Sequence, residues 1–475
     1  MRGVWPVDDV RAAEAALMAR LPDGALMQRA AAGLAVHCGQ MLGRVYGARV
    51  VLLVGSGDNG GDALYAGVRL ADRGARVDAV LLDPDRAHVA GLAALRAAGG
   101  RAVSTTDAPA LIDGADLVVD GIVGIGGRGG LRAGAAALAE AADGRLTVAV
   151  DLPSGVDADT GAVDGAAIRA DATVTFGALK PGLVSGDGAQ RAGEVRLVDI
   201  GLGPELAAPR TFVLEEQDVA SLLPTPAPSD DKYTRGVVGV VAGSPAYPGA
   251  GVLATGSSLH GGAGMVRYLG RAPDGIRARY PDVVVHEDTR PSDVRVQAWV
   301  VGPGLGTDDA ALSLLADVLG TDVPVIVDAD GITLVARAAD LVREREAPTV
   351  LTPHDREFAR LAGDVGPDRI GAARRAADDL GATVLLKGDA TVVAAPDGRA
   401  YVNPTGTPWL GTAGSGDVLS GLIGSLLASG LEAPLAAAAG AYVHGVAGQL
   451  AASNGPPSAA DVLDRLRTAW LNIEV

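Results

Sequence analysis

The chain has a single cysteine, Cys38, among its 475 residues. No disulfide within the chain can form, and a reducing, cytoplasmic compartment is the expected setting. Cys38 lies in an alanine-rich helical pattern and reads as a small core residue rather than a nucleophile. Lysine is almost as scarce. Of 40 Lys plus Arg residues, only Lys180, Lys232 and Lys387 are lysines. In a composition that leans so far towards arginine, a retained lysine points to a need for its own geometry or chemistry, with chance as the competing explanation. Basic charge is short overall, with 57 Asp plus Glu and a net charge of −17. Nucleic acid and anionic membranes, which call for basic surface, are excluded as main partners. The N-terminus lacks a basic region followed by an apolar core, so no signal peptide is expected. The most apolar run, 418–431, is too short to span a bilayer and is followed by Glu432 and Pro434. No repeat occurs at solenoid periods.

What is present is alternation. Apolar content is 48%, enough for sizeable cores, and the length favours two or three domains. Two helices are predicted within 8–44. Arg49-Val50-Val51-Leu52-Leu53-Val54 reads as a buried strand from its continuous apolar run. It leads into Gly55-Ser56-Gly57-Asp58-Asn59-Gly60-Gly61-Asp62 and then a helix, the opening of a nucleotide-binding α/β unit. The spacing fits neither the dinucleotide fingerprint nor a Walker loop. Asn59 and Asp62 can offer oxygens to a cation or a ribose; Asp-Asn-Gly-Gly is also strong turn chemistry. Further strands are expected at 76–82, 116–119, 146–150 and 172–176, with helices at 86–98 and 133–142. Asp120 and Asp151 fall at strand C-terminal ends, where open α/β sheets bind ligands. Asp120 precedes a glycine loop, 121–130, that carries Arg128, a candidate phosphate contact.

Pro224-Thr225-Pro226-Ala227-Pro228 followed by Ser229-Asp230-Asp231 has linker composition. It divides the chain into expected domains 1–223 and 229–475. A second α/β run begins at Gly236. Its strands end in Gly302-Pro303-Gly304-Leu305-Gly306, in Asp328-Ala329-Asp330-Gly331, in Thr352-Pro353-His354-Asp355-Arg356-Glu357, and in Lys387-Gly388-Asp389-Ala390-Thr391. Then comes the most informative stretch, 411–421. Gly411-Thr412-Ala413-Gly414-Ser415-Gly416-Asp417 opens a helix whose apolar face is Leu419, Leu422, Ile423, Leu426 and Leu427. The free N–H groups and dipole of such a helix start suit an anion. Asp417 in the first turn can cap the helix or act as a base.

Together these residues resemble the bifunctional NAD(P)H-hydrate repair enzymes over nearly the whole chain. In the first half the resemblance rests on loop 55–62, Asp120 with its glycine loop, Asp151-Leu152-Pro153-Ser154-Gly155 and Lys180. In the second it rests on Ala242-Gly243-Ser244, 302–306, 352–357, Lys387-Gly388 and 414–417. The chain departs from the family's usual pattern at Asp58 (usually Asn), at Ala63 (usually Gly), around 407–410 and at 260–262. The resemblance implies an α/β fold of two domains: an N-terminal Rossmann-like three-layer epimerase and a C-terminal ribokinase-like ADP- or ATP-dependent dehydratase. The implied substrates are NADH hydrate and NADPH hydrate, small molecules, with no nucleic acid and no membrane involved, and a homo-oligomer is expected.

The resemblance also implies site residues. Asp151 and Asp417 are the catalytic candidates. Substrate would be bound by Asp58, Asn59, Gly60, Gly61, Asp62, Gly124, Ile125, Gly126, Gly127, Arg128, Gly129, Gly130 and Asp151 in the epimerase, and by Ala250, Gly304, His354 and Asp417 in the dehydratase. Lys387, Gly388, Asp389, Ala390, Thr391 and Gly416 would contact nucleotide, with Mg2+ accompanying it. Asn59, Asp120 and Ser154 would ligate K+. For His354 the competing reading is a helix-start residue satisfied by its own turn. Two competing functions are a ribokinase-like kinase of a small alcohol such as hydroxyethylthiazole, with a non-catalytic N-terminal domain, and a non-enzymatic binding module.

Overall fold

The computed structural model describes residues 1–474 apart from Arg128 and Asn454. The chain forms two compact units, Gly3–Arg210 and Thr211–Val475, the latter joined by Met1–Arg2. Its first strand is β1 (Arg2–Val4).

The first unit holds seven strands: β2 (Arg49–Val54), β3 (Arg76–Leu81), β4 (Arg101–Val103), β5 (Leu117–Gly121), β6 (Thr147–Val150), β7 (Ala172–Phe176) and β8 (Glu194–Val198). Their order is β4-β3-β2-β5-β6-β7-β8, with every pair parallel. β2 shows why the run is continuously apolar. Val50, Leu52 and Val54 pack with Leu34, Leu64 and Leu70 on one face. Val51 and Leu53 pack with Ile112 and Leu138 on the other. Both faces are covered by helices, so alternation between apolar and polar residues disappears. The strand order reverses between β2 and β5, and ligands bind at such a switch point beyond the strand C-terminal ends. Loops 55–62 and 121–130 both leave from there. The expected strands and helices are found with ends shifted by a few residues; the short β4 and the strand β8 were not expected.

The second unit is built on an eleven-stranded sheet, order β1-β9-β18-β17-β16-β15-β14-β13-β10-β11-β12. Its members are β9 (Thr211–Val213), β10 (Val237–Val241), β11 (Met265–Tyr268), β12 (Val284–Val285), β13 (Ala298–Val301), β14 (Val325–Val327), β15 (Thr349–Leu351), β16 (Thr383–Leu386), β17 (Thr391–Ala394) and β18 (Ala400–Asn403). From β12 to β16 the pairs are parallel; β16–β17 and β17–β18 are antiparallel. Here the reversal lies between β10 and β13, so the loops after Val241 and Val301 flank the switch point. Gly243 N–H donates to the Pro303 carbonyl at 2.7 Å and ties them together.

The unit boundary differs from the sequence expectation of 1–223 and 229–475. β9 pairs with β18, and Leu214, Val219 and Leu223 are buried in the second unit's core. Residues 211–223 therefore belong with the second unit, although the proline-rich composition begins only after them.

Helix Ser415–Ala428 is buried along almost its whole length. It sits very close to its neighbours. A Cβ at Gly421 would lie 2.0 Å from Ser257 Oγ and 2.1 Å from the Ala254 carbonyl oxygen on helix Pro248–His260. A Cβ at Gly424 would lie 2.2 Å from Val300 Cγ2 on β13. Among the described residues no helix is long and apolar enough to cross a membrane.

Candidate active sites

In the first unit the switch point gathers residues from four strand ends. Asp151 follows β6 with φ of 66°, a left-handed conformation that costs a non-glycine residue about 1–3 kcal/mol and persists where surroundings enforce it. Its N–H donates to the Val174 carbonyl at 2.8 Å, which holds the backbone. Its side chain is 7% exposed. Oδ1 accepts from Lys180 Nζ at 2.5 Å, Thr175 Oγ1 at 3.0 Å and Phe176 N–H at 3.3 Å. Lys180 is buried and also donates to Thr175 Oγ1 and the Phe176 carbonyl. The scarce lysine therefore fixes one oxygen of a strand-end carboxylate.

Asp120, Ser154 and Asn59 lie beside this pair. Ser154 Oγ–H donates to Asp120 Oδ1 at 2.6 Å, and Ser154 N–H donates to Oδ2 at 2.8 Å. Asn59 Nδ2 donates to the Val150 carbonyl at 2.5 Å. A Cβ at Gly124 would lie 2.2 Å from Asn59 Oδ1 and 2.6 Å from its Nδ2, so the amide group packs against the glycine loop. Asp120 is fully buried, and burial pushes its carboxyl up to about 6 against hydrogen bonds from Ser154 and Ile122 that lower it. No cation pairs with it among the described residues. A buried carboxylate with a hydroxyl, an amide oxygen and the Val123 carbonyl nearby is a hard-oxygen set suited to an alkali cation. Among the described residues no group of three or more His, Cys, Asp or Glu could hold a metal ion; the neutral oxygens that suit K+ fall outside that set. Asp58, Asn59, Gly60, Gly61 and Asp62 form the first turns of helix Asp58–Asp72. Gly124, Ile125, Gly126, Gly127, Gly129 and Gly130 line the facing loop, while Arg128 lies outside the described residues. Ala63 is tolerated because its neighbour across the turn is glycine: a Cβ at Gly121 would lie 2.7 Å from that of Ala63.

In the second unit, Gly414 caps helix Ser415–Ala428 with φ of 90°, a conformation natural only for glycine. The N–H groups of Gly416 and Asp417 have no acceptor among the described residues and are free for an anion. Burial first, and then the Asp328 charge, push the Asp417 carboxyl up to about 7; Lys387 opposes them, while Asp330 and Glu357 add to the rise. Asp328 lies at the end of β14, 1% exposed. It accepts from Lys387 Nζ at 2.8 Å and from Ser420 Oγ at 2.7 Å. Burial alone would raise its carboxyl, but Lys387 and the hydrogen bonds from Lys387, Ser420 and Thr352 outweigh it and hold it below the usual range. Burial disfavours the Lys387 ammonium, yet Asp328 and Glu357 hold it above its ordinary value.

The Lys387 side chain thus turns inward, while its backbone opens the loop Gly388, Asp389, Ala390, Thr391. Arg369 Nη2 donates to the Lys387 carbonyl at 2.8 Å and to Asp355 Oδ1 at 2.9 Å, joining that loop to the His354 segment. His354 caps helix Asp355–Ala362: Nδ1 accepts from Arg356 N–H and Glu357 N–H, and the Glu357 carboxylate accepts from His354 N–H. The helix-start reading of His354 is therefore realised, and its other nitrogen remains on an exposed ring. Gly304 and Ala250 meet, a Cβ at Gly304 falling 2.7 Å from that of Ala250.

Sequence reasoning missed Asp328 and Glu357 as part of this site. Asp328 carried the same strand-end signal as Asp120 and Asp151. It also missed Glu14, whose carboxyl burial pushes up and whose charge interacts with Lys180, Asp151 and Asp58. Ala329, with φ of 51°, follows Asp328. Two of the three described non-glycine residues with positive φ thus lie at or next to a site carboxylate.

Known proteins match both units. A family model described as NAD(P)H-hydrate dehydratase covers residues 238–467, and one described as YjeF-related protein N-terminus covers 23–182. The bifunctional NAD(P)H-hydrate repair enzyme Nnr of Mycobacterium tuberculosis is 55% identical over 445 residues, 92% of each chain. That of Mycobacterium leprae is 52% identical over 481 residues, 99% of each chain. Among solved structures, the ADP/ATP-dependent NAD(P)H-hydrate dehydratase from Bacillus subtilis, co-crystallised with ATP/Mg2+, aligns with a TM-score of 0.50 and 28% identity. It covers 55% of this chain and 98% of that one. A match that runs through both units favours this family over a lone alcohol kinase or a binding module. The chain belongs to the bifunctional NAD(P)H-hydrate repair enzymes.

Proposed function

We propose that the chain repairs hydrated NADH and NADPH, the first unit interconverting the R and S hydrates and the second dehydrating the S hydrate at the expense of ADP or ATP. The observation that carries the dehydratase reading is Asp417, a carboxyl pushed to about 7 beside two unpaired N–H groups. A general base is most effective with a pKa near the working pH. Asp417 takes the proton of the substrate hydroxyl as that oxygen attacks the terminal phosphoryl group. The Gly416 and Asp417 N–H groups receive the charge that develops there. The phosphate ester then leaves C6 while C5 loses a proton, restoring the double bond that hydration removed.

Lys387 orients Asp328 beneath this turn, and the backbone of 387–391 supports the nucleotide. Mg2+ bound with the nucleotide would offset phosphate charge in a site where Asp328, Glu357 and Asp417 act on one lysine. Gly304, Ala250 and the His354 ring are the proposed hydrate contacts. In the first unit Asp151 is the proposed acid–base group, with K+ held by Asn59 Oδ1, Asp120, Ser154 Oγ and the Val123 carbonyl. The cation would neutralise Asp120 and stiffen both glycine loops. The test is incubation with chemically made NADH hydrate and ADP while following nicotinamide absorbance. Recovery of absorbance with release of free phosphate supports the reading; a stable phosphoester product refutes it.

A further inference from the structure

One carboxylate near Asp151 has an oxygen with no partner. Asp62, on helix Asp58–Asp72, is 7% exposed, and its buried Oδ1 has no hydrogen-bond partner among the described residues. Buried polar atoms are nearly always satisfied, so an orphan in a site calls for an explanation. The groups acting on it carry its own sign: Asp151, Asp58 and Glu14. Asp58 and Asp62 are one helical turn apart and share a face. The nearby ammonium, Lys180, is committed to Asp151, Thr175 and the Phe176 carbonyl. Arg11 acts on Glu14 rather than on Asp62. His88 lies beside Gly61, its Cδ2 3.2 Å from a Cβ placed there, and its Nδ1 accepts from Gly91 N–H.

We propose that Asp62 is a second catalytic carboxyl of the first unit, a general acid working with Asp151 as base; this rests on reading that unit as the hydrate epimerase. Burial first, then the charges of Asp151, Asp58 and Glu14, push the Asp62 carboxyl well above the usual range, which favours its protonated, proton-donating form. Asp151 instead sits among three donors. Two carboxyl groups in contrasting surroundings are how one site supplies both acid and base.

In the hydrate, C6 carries the hydroxyl and adjoins ring nitrogen N1. Asp62 gives its proton to the hydroxyl oxygen as the C6–O bond breaks, so water leaves rather than hydroxide. The N1 lone pair forms the C6=N1 bond. A second water adds to the opposite face of C6, the C6=N1 electron pair returns to N1, and Asp151 takes a proton from that water. Return of this proton from Asp151 to Asp62 through solvent closes the cycle, and each inversion exchanges one oxygen with solvent.

The test uses the full-length chain without nucleotide, so that dehydration does not remove substrate. One purified epimer of NADH hydrate is incubated in 18O-labelled water; epimers are separated by chromatography and their oxygen is weighed by mass spectrometry. Wild type is expected to take up solvent oxygen in step with inversion. Asp62→Asn keeps shape and neutrality but has no acidic proton. Its kcat should fall roughly 10²–10⁴-fold with KM within about threefold. ADP-dependent repair of the S hydrate should be intact, which checks the fold of the chain. Unchanged kcat, or a raised KM alone, overturns the acid role, and inversion without label overturns the protonated-hydroxyl step. Failure of wild type to interconvert the epimers overturns the epimerase reading itself. Glu14→Gln serves where Asp62→Asn does not fold. Removing that charge should move the alkaline fall of kcat to lower pH, and an unmoved profile counts against Asp62.

Discussion

Lys387→Met tests the electrostatic framework of the second site, because it removes the ammonium shared by Asp328 and Glu357 while keeping most of the side-chain volume. The Asp328 side chain is 2% exposed and lies 2.8 Å from Nζ. Removing one partner of a buried pair costs about 3–5 kcal/mol, since the other charge is left uncompensated. Asp328 keeps the Ser420 hydroxyl at 2.7 Å, which favours the lower end of that range. At roughly 2–4 °C per kcal/mol for a unit of this size, the melting temperature should fall by about 6–12 °C. Tryptophan fluorescence reports on the right unit, because Trp299, Trp409 and Trp470 lie in it and Trp5 alone lies in the other. Adding Asp328→Asn to Lys387→Met should restore most of the loss by removing the stranded charge. Lys387 also lowers the Asp417 carboxyl from where burial and Asp328 would put it. In Lys387→Met the acid-side inflection of the turnover profile, expected near 7 in wild type, should therefore move upward. A single variant that melts like wild type, or a double variant no better than the single, would refute the buried-pair argument.

Asp417→Asn should reduce dehydration by roughly 10²–10⁴-fold while calorimetric titration still shows ADP binding, because the nucleotide is held largely by backbone. The same variant should raise the melting temperature more at pH 8 than at pH 5. The folded carboxyl titrates near 7 and the unfolded one near 3.8, so the folded form binds more protons between those values, and the stability present below about 3.8 is lost progressively as pH rises from there through about 7. Asp151→Asn should leave one hydrate epimer unrepaired while the other is dehydrated normally, as read by chromatography of an epimer mixture; equal loss on both would exclude an epimerase-only role. Gly414→Ala, which imposes a side chain at φ of 90° and 2.7 Å from Leu253 Cδ1, should cost about 1–2 kcal/mol in urea unfolding and weaken ADP binding. A fragment 211–475 should be soluble and bind ADP, whereas 229–475, which lacks β9 and the buried Leu214, Val219 and Leu223, should melt lower by differential scanning fluorimetry.

The parallel cores were legible because strands covered on both faces are written as unbroken apolar runs, as in Arg49–Val54. Asp120 and Asp151 were legible for a topological reason: a carboxylate at a strand's C-terminal end faces the crevice whatever the rest of the chain does. The partner of Lys387 was not. It depends on β14 and β16 flanking β15, and no spacing along the chain encodes that order. The β17–β18 hairpin carries a Pro396-Asp397-Gly398 turn signal, yet its strands of four residues each are too short for periodicity to speak. Residues 211–213 form a strand because they lie between β1 and β18 in the sheet. Glu14 borders the apolar stripe of Val10, Ala13 and Leu17 and reads locally as a flanking charge; burial near Lys180 makes it part of a site. For His354 the helix-start reading is the one realised, its Nδ1 spent on the N–H groups of Arg356 and Glu357.

The close approach at Gly421 and Gly424 makes helix Ser415–Ala428 behave like the bolt of a lock. Its depth is set by bare backbone against Ala254 and Val300, and its leading end carries Gly416 and Asp417. A methyl group at either glycine would push the bolt outward, and the leading end would travel with it. Variants one and two turns away from Asp417 should then reduce turnover while leaving every reacting group in place. Genetic variation at these positions would look like damage to the core and act as misalignment of the chemistry.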